Sequence, residues 1–101
     1  MQFMLLAYDG TDKAAPARRL VVREQHIALG DKLVAEGKML YGTAILDENG
    51  NMIGSMLILN YDSRTELDKW LQIEPYVTGD VWHDIQIRPV RGPSFMGLRK
   101  Q

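Results

Sequence analysis

The sequence predicts one α+β domain, in which a single antiparallel sheet packs against two helices. Short apolar runs bounded by turn residues indicate four strands, and one long and one short periodic stretch indicate the helices. An Asn-Gly pair between two of the apolar runs favours a tight hairpin. The 101 residues suffice for one modest core but not for two. We therefore expect a single domain that spans residues 1–101.

The first three strands are predicted from their apolar runs. Residues 3–8 are apolar at both odd and even positions and end at an Asp-Gly turn, so this strand should be buried on both faces. Residues 39–46 and 52–60 flank the Asn-Gly turn, so they should pair with each other. Apolar side chains on both faces of the first strand require a second cover for the sheet besides the helices.

Two helices are predicted between these strands. The long one should span residues 16–36, because proline suits its first turn and Gly37 suits its end. The shorter one should follow a cap at Asp62 or Ser63 and stop before Pro75.

The last strand is predicted over residues 81–88, where apolar and polar side chains alternate. One face should carry Val81, His83, Ile85 and Ile87, and the other Trp82, Asp84, Gln86 and Arg88. The resulting order of strand, helix, strand, strand, helix, strand is that of the ferredoxin-like β-α-β-β-α-β fold, with both helices on one face of the sheet.

The face without helices should be covered by a second copy of the chain. Methionine, leucine and isoleucine on an uncovered sheet would form an apolar patch of several hundred Å², which soluble monomers seldom expose. We therefore predict a homodimer, or a larger homo-oligomer, that packs sheet to sheet. Residues 91–101 should add a further strand or an arm around the partner.

The composition excludes several classes of protein. With 46% hydrophobic and 25% charged residues the chain should fold rather than stay disordered. A net charge of −1 argues against nucleic acid as a partner, and the absence of cysteine excludes disulfides, thiol nucleophiles and thiolate-held metals. The longest early apolar run is too short for a membrane span and lacks the basic flank of a signal peptide. We expect a cytoplasmic protein that does not bind membranes.

Polar residues lie in the middle of the face of the long helix that should point inward. At about 100° per residue, Arg19, Arg23, His26 and Gly30 fall between two apolar flanks. These flanks are Val22, Leu29 and Leu33 on one side and Leu20, Ile27 and Val34 on the other. Buried polar groups need partners, so this arc indicates either a ligand pocket or a polar cluster whose members satisfy one another.

Two spacings favour the pocket. Gly30 follows His26 by one turn and costs about 1 kcal/mol of helix stability relative to alanine, so its missing side chain could leave space for a ligand. Arg23 and His26 are three residues apart and can address one bound group together. The alternative is a core histidine bound to a carbonyl oxygen, with the arginine in a structural ion pair.

Several segments resemble the YCII-related (YciI-like) proteins. Arg23-Glu24-Gln25-His26 resembles their Arg-x-x-His motif, and residues 74–77, Glu-Pro-Tyr-Val, resemble their Asp-Pro-Tyr-Val segment. The closing strand through residues 87–89 is also similar, although an Asp-Gly-Pro-Phe signature of a related branch is absent.

This resemblance implies a dimeric α+β barrel with a histidine and an acid paired in a cleft. The residues at these positions are His26 and Glu74, which are the candidate catalytic pair. The sequence departs from the family here, because the family typically has aspartate where this chain has glutamate. The extra methylene keeps the charge but moves the carboxylate by more than about 1 Å. Glu74 could instead be an exposed residue near a helix end.

The candidate ligand contacts are Arg23, Gly30, Ser55 and Tyr76. Ser55 is a small residue on a crowded strand that can line the pocket. For Tyr76 the alternative is an aromatic of the core or of the dimer interface, where such side chains commonly dominate. His83 and Asp84 point to opposite faces of their strand and cannot form one pair. No motif has the spacing of a metal site, so we predict no bound metal and no cofactor.

Three functions are consistent with these residues. The first is an enzyme that moves a proton on a small anionic or cyclic substrate, as lyases and isomerases do, with His26 as the base. The second is a module that binds a small metabolite without converting it. The third is a structural dimer whose inward polar residues pair with each other.

Overall fold

The computed structural model describes residues 1–93 and contains four strands and three helices. In chain order these are β1 (Gln2–Asp9), α1 (Ala15–Ala35), β2 (Met39–Leu46), β3 (Met52–Asn60), α2 (Arg64–Leu71), α3 (Pro75–Thr78) and β4 (Trp82–Val90).

The four strands form one antiparallel sheet with the order β2-β3-β1-β4. The hairpin of β2 and β3 is present, and both β3 and β4 run antiparallel to β1. The ferredoxin-like β-α-β-β-α-β fold predicted from the sequence is therefore confirmed. Of the two predicted caps of α2, Asp62 and Ser63, the structure has Ser63. Its hydroxyl accepts a hydrogen bond from the Glu66 N–H at 3.2 Å.

The core lies between the sheet and the helices. Alternate side chains of the two central strands, such as Phe3, Leu5 and Leu57, are buried there against Leu33 of α1 and Leu67 of α2. Both helices therefore cover the same face of the sheet. The opposite face carries Met4, Leu6, Met56 and Ile58 in directly paired positions, and these side chains remain half-exposed.

Two local features differ from the prediction. The short helix α3, which was not predicted, follows α2 and carries Tyr76. In addition, the register of β1 against β4 shifts between Tyr8 and Asp9, so that Asp9 is opposite Trp82. This irregularity breaks the alternation of β4 and turns Trp82 into the core, where the predicted pattern had placed it on the face of Asp84.

Only one of the two predicted apolar flanks of α1 packs against the core. Leu33 is buried and Val22 and Leu29 pack against the core cluster. Leu20, Ile27 and Val34, on the other flank, are 67%, 44% and 59% exposed. The prediction that both flanks face the core is wrong, because Ile27 and Val34 line a cleft between α1 and the β2–β3 hairpin instead.

No helix among residues 1–93 is long and apolar enough to cross a membrane. The arm or extra strand predicted for residues 91–101 lies largely outside the described residues, which end at position 93.

The core contact of α2 should account for a large part of the stability. Leu67 has no exposed surface and packs in the core cluster, whereas Leu46 is 56% exposed. We expect Leu67→Ala to lower the free energy of unfolding by about 2–5 kcal/mol, because the smaller side chain loses apolar burial and leaves a cavity. The control Leu46→Ala should change it by less than about 1 kcal/mol. Urea unfolding followed by circular dichroism measures both values, and equal losses would contradict this picture of the core.

Candidate functional site

His26 and Glu74 are in direct contact at the base of the cleft. The imidazole Nδ1 of His26 is hydrogen-bonded to Oε1 of Glu74. The side chains are 13% and 1% exposed, so the carboxylate is buried while one part of the imidazole remains open to the cleft. A ring whose Nδ1–H donates to a carboxylate presents Nε2 as a free acceptor.

Glu74 is held in place by the helix that it begins. Its side chain caps α3, because Oε1 also accepts a hydrogen bond from the Tyr76 N–H at 3.1 Å. The sequence Glu-Pro-Tyr favours this arrangement, since proline suits the first turn and an acidic side chain can accept from the free N–H groups. The alternative that Glu74 is an exposed residue at a helix end is wrong.

Tyr76 connects His26 to a second polar group. Its ring stacks on the His26 imidazole at 3.8 Å between centroids, with 8° between the planes. The Arg19 guanidinium carbon lies 4.7 Å from the same centroid. Since Arg19 and His26 are two helical turns apart, or about 10.5 Å along the axis, the tyrosine ring fits between them.

Arg19 belongs to a buried ion pair that the sequence did not reveal. Its Nη1 donates to both carboxylate oxygens of Asp9 at 2.8 and 2.9 Å, and Nη2 donates to the Gly54 carbonyl at 3.3 Å. The helical arc placed Arg19 inward, but its acid comes from the end of β1, ten residues earlier and in a different element. Only the packing of α1 against the end of β1 identifies this partner.

The cleft has a volume of about 320 Å³ and lies between α1 and the hairpin of β2 and β3. Arg23, His26 and Gly30 contribute to its helical wall, while Ser55 and Tyr76 line the inner side. The structure thus brings together all the predicted site residues; Glu74 lies directly behind His26.

The lining residues leave open space in the cleft. A methyl group added at Gly30 would meet no atom within 4 Å outside its own helical turn, which shows open space there. The hydroxyl of Ser55 accepts a hydrogen bond from the Trp82 indole N–H at 3.1 Å, and this fixes the orientation of both side chains. Trp82 also lies edge-on to His26 at 6.0 Å.

The electrostatics favour a neutral Tyr76 hydroxyl. Burial raises the pKa of Tyr76, against the opposing effect of the Arg19 and Arg23 charges. At neutral pH the group can therefore donate a hydrogen bond. Within residues 1–93 neither the Tyr76 hydroxyl nor the Arg23 guanidinium has a hydrogen-bond or ion-pair partner, so both can contact a ligand.

The remaining histidine lies elsewhere. His83 is exposed and contacts the Asp80 carboxylate at 3.0 Å, outside the cleft. In the described part of the chain no three or more acidic or histidine side chains gather in a way that could hold a metal ion.

Comparison with known proteins identifies relatives over most of the chain. Residues 1–91 match the model of the YCII-related domain. An uncharacterised protein of Haemophilus influenzae is 34% identical over 80 residues, which cover 73% of this chain and 82% of that protein. Protein YciI of Escherichia coli is 27% identical over 97 residues, which cover 90% of this chain and 97% of that protein.

A solved structure shares the fold. It is the 5-chloro-2-hydroxyhydroquinone dehydrochlorinase TftG of Burkholderia phenoliruptrix, in complex with 2,5-dihydroxybenzoquinone. The TM-score is 0.79 at 18% sequence identity, over 94% of this chain and 98% of that one. This likeness agrees with the α+β barrel fold implied by the sequence resemblance. Together with the domain match, these relatives show that the chain belongs to the YCII-related family.

Proposed function

We propose that this protein is a small-molecule enzyme that transfers a proton on a small anionic or cyclic substrate, in the manner of a lyase or isomerase. The contact of His26 with buried Glu74 at the base of an open cleft carries this proposal. TftG, which shares the fold, is a dehydrochlorinase whose structure holds a quinone, and this supports a small ring as the guest.

In the proposed reaction His26 is the base. Glu74 keeps the proton of the imidazole on Nδ1, so Nε2 can accept a proton from an acidic C–H or O–H group of the substrate. The imidazolium that forms is stabilised by the carboxylate behind it. The proton then returns to another atom of the substrate in an isomerisation. In a lyase reaction, the electron pair expels a leaving group such as chloride and the proton is released to water.

The negative charge that develops on the substrate requires compensation. Arg23 and the Tyr76 hydroxyl line the cleft beside His26, and both can donate hydrogen bonds to an enolate or phenolate oxygen. Gly30 leaves room for a ring, and the Ser55 hydroxyl borders the inner wall. None of these steps requires a cofactor or a metal ion.

The proposal includes a homodimer that packs through the open face of the sheet. Leu6 and Met56 are directly opposite each other there and, together with Met4 and Ile58, form a half-exposed apolar surface. A second copy would remove this surface from water. The absence of cysteine suits a reducing compartment, so we place the protein in the cytoplasm.

Removal of the base should abolish catalysis. With 2,5-dihydroxybenzoquinone and related hydroxyquinones, aromatic acids and lactone acids as probes, the wild type should convert at least one member. We expect His26→Ala to lower the turnover number for that probe by about 10²- to 10⁴-fold, since this is the usual contribution of a general base. The matched control His83→Ala should leave the rate unchanged. Stabilisation of the wild type by a probe without product would show that the cleft only binds.

Loss of the cleft arginine should weaken anion binding. We expect Arg23→Ala to raise the dissociation constant of an anionic probe about 10- to 100-fold, which corresponds to one charged hydrogen bond, and to leave that of its uncharged ester nearly unchanged. The control Lys32→Ala removes an exposed cation from the same helix. Isothermal titration measures the six dissociation constants, for the wild type and both variants with each probe. Equal losses for both probes would assign Arg23 a structural role.

A charge in the open sheet face should separate the two copies. The wild type should have twice the mass of the 11.5 kDa chain, or a larger even multiple. We expect Met56→Asp to halve this mass, because an ionised carboxylate cannot be buried in an apolar interface without a partner. The control Thr65→Asp lies on the exposed side of α2 and should not change it. Light scattering decides between these outcomes, and a monomeric wild type would exclude the dimer.

A further inference from the structure

The outer side of α1 carries apolar side chains where a surface helix normally carries polar ones. Leu20, Ile27 and Val34 are all about half or more exposed, and none of them contributes to the core cluster. They are spaced seven residues apart, which is close to two helical turns, so their side chains point in nearly the same direction. They therefore form one stripe that extends about two turns to each side of Ile27. A helix that is apolar on both its inner and its outer side is typical of one covered on both sides.

The stripe is complementary to itself when two copies of α1 run antiparallel. Leu20 and Val34 each lie seven residues from Ile27, and Arg23 and Asp31 each lie four residues from it. In a pair related by a two-fold axis at Ile27, Leu20 of each copy therefore lies opposite Val34 of the other. Arg23 of each copy likewise lies opposite Asp31 of the other, which gives two charge pairs. A parallel pair would instead place Arg23 against Arg23 and Asp31 against Asp31, which is repulsive.

The two charged residues are available for this pairing. Arg23 and Asp31 are exposed, and neither has an ion-pair or hydrogen-bond partner within residues 1–93. They are eight residues apart in one chain, about 12 Å along the helix, which is too far for a contact with each other. Gly30, next to Asp31, has open space beside it.

We propose that α1 of this protein docks antiparallel on α1 of a second copy, through the stripe of Leu20, Ile27 and Val34 and the two Arg23–Asp31 pairs. This surface is separate from the open face of the sheet, and the inference does not depend on the chemistry proposed for His26. The partner is a second copy because the stripe matches its own reversed sequence in both shape and charge.

Docking would complete the cleft from its open side. Ile27 and Val34 of the stripe, and Asp31 beside it, also belong to the wall of the cleft. In the antiparallel pair these residues face Ile27, Arg23 and Leu20 of the second copy. Each cleft mouth therefore gains a second guanidinium and an apolar cover. Arg23 can serve both purposes, because a guanidinium has two edges that donate hydrogen bonds.

Single cysteines test the pairing directly, because the chain has none of its own. The Ile27→Cys variant places two thiols at the two-fold axis and should form a covalent dimer under mild oxidation. Val21 is 75% exposed on the same helix but lies away from the stripe. The control Val21→Cys should therefore form at least tenfold less covalent dimer. Non-reducing electrophoresis measures both, and circular dichroism checks that the variants are folded. Equal yields would overturn the proposal.

The direction of the pair is tested with mixed variants. Leu20→Cys alone and Val34→Cys alone should not cross-link, whereas a mixture of the two should give the covalent dimer. Cross-linking of either variant by itself would show a parallel pair and overturn the proposal.

The charge pairs are tested in the Ile27→Cys background. Arg23→Asp or Asp31→Arg should each reduce the yield at least tenfold, and the double exchange should restore it. Failure of the double exchange to restore the yield would reject the Arg23–Asp31 register. Because these measurements require no substrate, they separate this interface from the proposed catalysis.

Discussion

A carboxylate that is almost fully removed from water needs partners, and Glu74 obtains both of its partners from nearby elements. The His26 imidazole contacts it from α1, and the Tyr76 N–H donates to it from α3. Loss of either contact would leave the buried carboxylate with one hydrogen-bond donor fewer, at a cost of about 1.5–3 kcal/mol. The position of α3, the orientation of His26 and the shape of the cleft base therefore depend on one side chain.

The Tyr76 ring extends this arrangement toward the sheet. It separates the pair of His26 and Glu74 from the pair of Arg19 and Asp9, and it contacts one member of each. The two pairs join α1 to α3 and to the end of β1. The site is consequently part of the contacts that hold helix to sheet.

Much of the fold could be predicted because its signals are local. The Asn-Gly turn gave the β2–β3 hairpin, and residue periodicity gave α1 to within a residue at each end. Two features escaped prediction because they depend on how separate elements pack against each other. The shift between Tyr8 and Asp9 determines which way Trp82 points, and the acid that pairs with Arg19 comes from β1.

The inward polar arc of α1 was visible in the sequence, and the structure places Arg19 and His26 there. The exposed flank of Leu20, Ile27 and Val34 was misassigned for a physical reason. Periodicity reports which side chains are apolar, but it does not distinguish burial within one chain from burial by a second one. The contact of His26 with Glu74 could be expected only from the family resemblance, because 48 residues separate them.

Gly30 makes the size of the cleft adjustable by substitution. Its backbone belongs to a regular helix, its neighbourhood is empty, and an alanine there would stabilise the helix by about 1 kcal/mol. The interior size of the cavity can thus be changed at a single position by side chains of increasing bulk, while the sheet, the core and the ion pairs stay as they are. In such a scaffold, the range of molecules admitted can evolve separately from the architecture that holds the reactive groups.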